Sequence, residues 1–180
     1  VAHTGPEIWE QTNGEVDVFV HGIGTGGCIA GVGEYLKSKK ASVKVCALEP
    51  TESRVHVGGA PAPHGIVGWA PGIHSSFLEG FGWEKEKLND TARGIVDEWG
   101  HVATPDAVKM CLHVTQTEGM MIGPSSGAAI KYAFDIASRP ESAGKTIVVV
   151  APSHGIRYTT HPMWLASQTE ASTALPAGPP

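Results

Sequence analysis

The sequence predicts an α/β fold built on a parallel sheet. Two observations carry that prediction. Residues 16–20, VDVFV, and residues 43–48, VKVCAL, are short apolar runs joined by a glycine-rich loop and a stretch of helical periodicity. Parallel strands need such a crossover, so this unit of strand, loop, helix and strand reads as βαβ. In addition, three loops of small residues, GIGTGG, GPSSG and PSHG, each follow an expected strand. Ligands of open parallel sheets bind at the carboxyl ends of the strands.

The elements follow in order. GPEIWEQTNGE reads as the end of a helix and a turn, with Asn13-Gly14 as the turn signal. Val16–Val20 is a buried strand. Gly26–Lys39 is a helix whose Ile29, Val32, Tyr35 and Leu36 recur at three- and four-residue steps. Val43–Leu48 is the second strand, closed by Glu49-Pro50. Residues 51–83, rich in Gly, Pro and His, read as a long functional loop or lid. Ile95–Val102 is a strand. A helix runs from Pro105 to Glu118, with Thr104 as its cap. Met120–Ile122 is a short strand, Gly123–Gly127 a turn, and Ala128–Ser138 a helix. Lys145–Ala151, KTIVVVA, is the clearest strand in the chain. Residues 1–165 form one domain, and residues 166–180, ending STALPAGPP, have the composition of a disordered tail.

Composition excludes several functions. The 180 residues are 41% hydrophobic and 17% charged, with a net charge of −5, as in an ordinary soluble globular protein. No Lys/Arg cluster is dense enough to neutralise several phosphates, which argues against nucleic acid. No apolar run approaches a membrane span. Three widely spaced cysteines make neither a disulfide framework nor a zinc site and suit a reducing compartment. The nine histidines, His56 and His64 or His154 and His161 among them, lack metal-ligand spacing, so no metal is expected.

The glycines of residues 22–27 carry the chemistry. Bare glycine lets backbone N–H groups approach a ligand, and the amino terminus of the following helix favours negative charge. The expected guest is a phosphate; the plainer alternative is a tight packing turn. Gly22-Ile23-Gly24-Thr25-Gly26-Gly27 also satisfies G-x-G-x-x-G, with Glu49 at the end of the next strand, so a dinucleotide such as NAD stays open at this point.

Five motifs in order narrow the choice. GIGTGGCIAGVGEYLKSKKASVKVCALEP, EPTES, GGAPAPHGI, TEGMMIGPSSGAAI and AGKTIVVVAPSHGIRY cover most of residues 4–160. This series resembles the cysteine synthase (O-acetylserine sulfhydrylase) family, enzymes that depend on pyridoxal 5'-phosphate. Cystathionine β-synthase, cyanoalanine synthase and threonine synthase are related branches. The resemblance implies a three-layer domain of the tryptophan-synthase-β-like kind, PLP fold type II, truncated at its amino end. It implies that Gly24, Thr25, Gly26, Gly27 and Cys28 hold the cofactor phosphate, with Cys28 where the family usually has a second threonine. It implies that Ser125 meets the pyridine nitrogen and that Ser153, Gly155, Arg157 and Tyr158 line the floor behind the ring; plain helix capping is the alternative for Ser125 and Ser126. Gly68, Trp69 and Ala70 fall in the substrate loop, where Trp69, Ala70 and Pro71 replace a glycine-rich stretch. Residues 79–101 fit the family poorly.

The family's Schiff-base lysine lies upstream of the phosphate loop. The residues before Gly22 contain no lysine, so no catalytic residue is assigned to this chain. The expectation is the carboxyl-terminal part of a cysteine synthase, inactive alone, whose parent converts O-acetylserine and sulfide to cysteine and acetate. A non-catalytic truncated homologue that binds a phosphate ligand or a partner subunit is the alternative. The family also implies a homodimer, docking of the serine acetyltransferase tail, and a cytoplasmic or organellar (plastid or mitochondrial), non-secreted location.

Overall fold

The computed structural model of the chain describes residues 3–69 and 94–164. Four strands, β1 (Val16–Gly22), β2 (Lys44–Pro50), β3 (Glu98–Val102) and β4 (Thr146–Val149), form one sheet in the order β3-β2-β1-β4. Every neighbouring pair is parallel. The predicted parallel α/β architecture is therefore present.

Alternation along the strands divides two cores. Phe19, Val45 and Ala47 face one side, where they meet Ile8 of α1 (Thr4–Gln11) and Ile29, Val32 and Leu36 of α2 (Gly27–Lys39). Val20, Cys46 and Leu48 face the other side. There they meet Ala128, Ala129 and Ile136 of the helix Pro124–Ala137. That helix is α4; α3 (Thr104–Glu118) packs against it. Each fully buried aliphatic side chain contributes about 1.5–3 kcal/mol relative to exposure. The result is a sheet between two helical layers, with the loops that follow β1 and β2 at its carboxyl edge.

Two aspartates complete the strand ladders. The β1–β4 register shifts between Val16 and Val18. There Asp17 Oδ2 accepts the Thr146 N–H at 2.9 Å, and Lys40 Nζ donates to Asp17 Oδ1 at 2.8 Å. Ahead of β3, Asp97 Oδ2 accepts the Val45 N–H at 2.7 Å while the Asp97 N–H donates to the Val45 carbonyl.

Several boundaries differ from expectation. Glu49 and Pro50 belong to β2 instead of closing it. The strand expected over 95–102 is reduced to Glu98–Val102; Val96 instead plugs the first core and Ile95 packs beside it. The strand expected over 145–151 spans Thr146–Val149. Met120–Ile122 is no strand: Ile122 makes a single antiparallel bridge to His154.

The helix expected from Ala128 starts at Pro124, so Ser125 and Ser126 lie in its first turn and Gly123 is its cap. Proline suits that first position because its missing N–H has no intrahelical partner to lose. Thr104 is not the cap of α3; Ala103 is. The Thr104 hydroxyl instead accepts the Gly65 N–H at 2.9 Å, and its N–H donates to Glu52 Oε1 at 2.8 Å. Thr104 thus pins the loop that follows β2. That loop is irregular over 51–69, as expected, apart from a single 3-10 turn at Val55–Val57. Ala70, Pro71, most of residues 79–101 and the tail 166–180 lie outside the described residues.

Candidate cofactor-binding cleft

Gly22 ends β1 and the chain turns through Gly24, Thr25 and Gly26 into α2. Gly26 has φ of 83°, a left-handed conformation that glycine adopts without cost. The first intrahelical bond of α2 runs from the Ala30 N–H to the Gly26 carbonyl at 2.9 Å. The N–H groups of Gly27, Cys28 and Ile29 therefore precede the helical ladder; that of Gly27 has a long 3.4 Å contact to Thr25 Oγ1. Such a terminus, with its positive dipole end, is built to receive an anion.

The loop opens on a cleft of about 340 Å³. Gly24, Thr25, Gly26 and Cys28 form one wall. Gly68 and Trp69 form a second, and Ser125, Ser153 and Tyr158 a third. The walls fit tightly. A Cβ on Gly24 would stand 2.7 Å from the Gly68 carbonyl oxygen. Gly68 itself has φ of 99°, again a glycine conformation.

The third wall is stitched from two loops. The Gly123 N–H donates to the Ser153 carbonyl at 3.0 Å, and the Gly155 N–H to the Met121 carbonyl at 2.8 Å. Ser153 Oγ and Tyr158 Oη share a hydrogen bond of 2.9 Å. A Cβ on Gly123 would meet Ser153 Oγ at 2.5 Å, so only glycine lets the two loops close. Ser125 is buried in the first turn of α4 and faces the cleft; neither it nor Ser126 caps the helix. The buried Ser126 hydroxyl makes no hydrogen bond among the described residues.

The described side chains that line the cleft carry no formal charge near neutral pH. Among the described lining residues there is no carboxylate and no amine. Burial pushes the Cys28 thiol up, which keeps it protonated and a weak donor. Burial also holds His21 below the usual imidazole range, partly offset by its bond to the Gly22 carbonyl. Backbone N–H groups and hydroxyls, rather than fixed positive charge, are what this part of the site offers an anion.

Residues 1–153 match the model of the pyridoxal-phosphate dependent enzymes. The chain belongs to that family. It is 34% identical to cysteine synthase 3 of Caenorhabditis elegans over 169 residues, covering 94% of this chain and 46% of that protein. It is 36% identical to cysteine synthase A of Escherichia coli (strain K12) over 175 residues, covering 93% and 50%. Among solved structures, O-acetyl serine sulfhydrylase isoform 3 from Entamoeba histolytica matches with a TM-score of 0.75 and 42% identity, over 90% of this chain and 44% of that one. The O-acetylserine dependent cystathionine beta-synthase from Helicobacter pylori matches with 0.76 and 27%, over 91% and 49%. The chain thus spans about half the length of the curated relatives it matches.

Within this family member, the residues picked from sequence converge. Gly24, Thr25, Gly26, Cys28, Gly68, Trp69, Ser125 and Ser153 all line the one cleft. Gly27 opens α2 beside them. Tyr158 joins them, whereas Gly155 packs beneath against Met121 and Trp164, and Arg157 is exposed to solvent outside the lining. The dinucleotide alternative loses its acid. Glu49 is buried, and its Oε1 accepts both the His56 N–H at 2.6 Å and His56 Nδ1 at 2.8 Å, so it does not reach toward the glycine loop.

Sequence reasoning missed His21, which also lines the cleft. The available signal was a polar residue in an apolar strand immediately before the glycine loop.

Proposed function

We propose that the chain supplies the phosphate-binding half of a cysteine-synthase-type site, and that the whole protein converts O-acetylserine and sulfide to cysteine and acetate by β-replacement. The observation that carries this reading is the glycine loop at the amino terminus of α2, facing Ser125 across one cleft. The residues present fit pyridoxal 5'-phosphate. The N–H groups at Gly24 to Gly27 and Cys28, with the Thr25 hydroxyl, would take the phosphate. Ser125 would offer a neutral hydroxyl to the ring nitrogen, and Ser153 would flank the ring. When bound, the cofactor supplies the electron sink that lets a leaving group depart from an amino-acid β-carbon. A neutral partner at the ring nitrogen tempers that sink and suits elimination and replacement over transamination.

Gly68 and Trp69 would bound the substrate side. The lining holds no amine among the described residues, so covalent anchoring of the cofactor falls to a lysine outside this set. A homodimer and docking of a serine acetyltransferase tail belong to the same proposal. No helix of the described residues is long and apolar enough to cross a membrane.

Turnover tests the reading. Extended upstream to the length of its relatives, the protein should release cysteine and acetate from O-acetylserine and sulfide. The 180-residue chain alone should not. Turnover of serine but not O-acetylserine by the extended protein would reject the substrate assignment.

A further inference from the structure

His21 is held in one orientation and one protonation state. Its Nδ1 lies 2.6 Å from the Gly22 carbonyl oxygen. A carbonyl can only accept, so Nδ1 carries a proton. In the neutral ring the remaining lone pair is then on Nε2. The ring stacks on Phe19, with centroids 6.1 Å apart and planes 22° from parallel, which fixes its plane. Burial keeps the ring uncharged near neutral pH. Nε2 makes no hydrogen bond among the described residues, and it is not sealed away as the buried, unpartnered nitrogens of His64 and His101 are. The described cavity that His21 borders is the cofactor cleft.

The rest of the described lining offers no competitor. No charged side chain of the described residues borders the cleft. Ser153 is bonded to Tyr158, and alcohols and a protonated Cys28 thiol do not take protons near neutrality. Of this chain's described lining residues, His21 alone carries a basic nitrogen. An imidazole oriented through one nitrogen, with the other not hydrogen-bonded and the residue bordering a reaction space, is the usual arrangement of a general base.

We propose that His21 is the proton acceptor for the sulfur nucleophile, with Nε2 taking the S–H proton of hydrogen sulfide or a thiol as it enters the cleft. This rests on the β-replacement reading above. The S–H bond breaks and its electron pair stays on sulfur, which uses it to form the new C–S bond at the β-carbon; the C–O bond to acetate at that carbon breaks, and acetate leaves with its electron pair. The proton passes to Nε2, giving an imidazolium whose Nδ1–H still donates to the Gly22 carbonyl. It then leaves to water or to the departing acetate.

Two measurements test this. In the upstream-extended protein loaded with pyridoxal phosphate, kcat/KM for 2-mercaptoethanol as nucleophile is followed against pH for the wild type and His21→Asn. Asparagine keeps a donor for the Gly22 carbonyl and lacks the basic nitrogen. The expected result is a loss of about tenfold or more at pH 6.5 that shrinks toward twofold above the thiol's own pKa. A loss independent of pH, or no loss, overturns the proposal. In the 180-residue chain, diethyl pyrocarbonate should acylate His21, read by peptide mass spectrometry, and pyridoxal phosphate should protect it. An unreactive or unprotected His21 also overturns it. Cofactor absorbance separates the two levels. Absent binding rejects the β-replacement reading and the proposal with it, whereas full binding with a pH-independent defect rejects His21 alone.

Discussion

The indole of Trp69 lies directly on Gly22: a Cβ on Gly22 would stand 1.9 Å from Trp69 Cε2 and 2.0 Å from Nε1. Trp69 is 6% exposed and packs into the core beneath α4. The loop after β2 is thereby locked to the end of β1, and it forms a wall of the cleft. Gly22→Ala should displace the indole and cost about 1–3 kcal/mol, the range for overpacking. Trp69→Ala should cost about 3–5 kcal/mol, through lost burial. Because the two residues touch, the double variant should be less destabilised than the sum. Urea denaturation of the four proteins measures the difference; strict additivity would show that the contact is not tight.

Glu98 organises the outer strand. Its carboxylate accepts Arg139 through both oxygens, at 2.9 and 2.7 Å, takes the Tyr132 hydroxyl at 2.5 Å, and pairs with Lys44. Arg139 first, then Lys44 and Tyr132, lower its pKa from 4.5 to about 2 against the opposing effect of burial. A carboxyl held below its unfolded value stabilises fully above that value. The contribution fades as pH falls from 4.5 toward about 2. Glu98→Gln should lose about 1–3 kcal/mol at pH 7, and the gap to wild type should close across that acidic window. Thermal melts over pH 2–7 check this; a gap constant with pH would contradict it.

Helices α3 and α4 meet at Gly127. A Cβ there would lie 2.3 Å from the Ala107 carbonyl oxygen and 2.5 Å from Cys111 Sγ. Backbone cannot yield as a side-chain tip can, so Gly127→Ala should cost about 3 kcal/mol or slightly more. A Cβ at Gly33 would clash with the Ile95 Cγ2 methyl, at 2.3 Å, and touch the two Val45 methyls at 3.4 Å. The Ile95 methyl can rotate away, so Gly33→Ala should cost about 1 kcal/mol. Denaturant midpoints rank the pair; the reverse order would overturn the packing described.

The three thiols differ in burial. Cys46 and Cys111 are fully buried, with pKa pushed up by that burial to about 12 and about 11. Cys28 is half-buried at the cleft. Iodoacetamide at pH 8 should label Cys28 alone in the folded chain and all three after unfolding. Pyridoxal phosphate should slow the labelling of Cys28. Intact-mass spectrometry counts the adducts; early labelling at Cys46 or Cys111 would contradict the core assignment.

Much of this architecture is written locally. Two apolar runs flanking a glycine loop suffice for β1, α2 and β2, because turn chemistry and helical periodicity act over a few residues. The loops that hold Ser125 and Ser153 were legible as small-residue turns, and the roles of the two serines came from the family resemblance; the strand expected before Ser125, Met120–Ile122, is not in the sheet. What escaped was set by distant contacts. Thr104 has the look of a cap, yet the nearby Gly65 N–H takes its hydroxyl. Asp17 and Asp97, which no local pattern singles out, are ladder acceptors. Ser125 and Ser126 read as a loop because small polar residues resemble a turn, although Pro124 was signalling a helix start. The Trp69–Gly22 contact depends on tertiary packing, which no local pattern encodes.

The central claim is that this chain holds the cofactor phosphate without anchoring the cofactor covalently. Equilibrium binding of pyridoxal phosphate to the purified 180-residue chain, followed by borohydride reduction and mass spectrometry, tests it most directly. Binding should be reversible, competed by inorganic phosphate, and weakened on Gly26→Ala, where φ is 83°. No lysine should be captured. Binding indifferent to phosphate and to Gly26→Ala, or capture on one defined lysine, would contradict it.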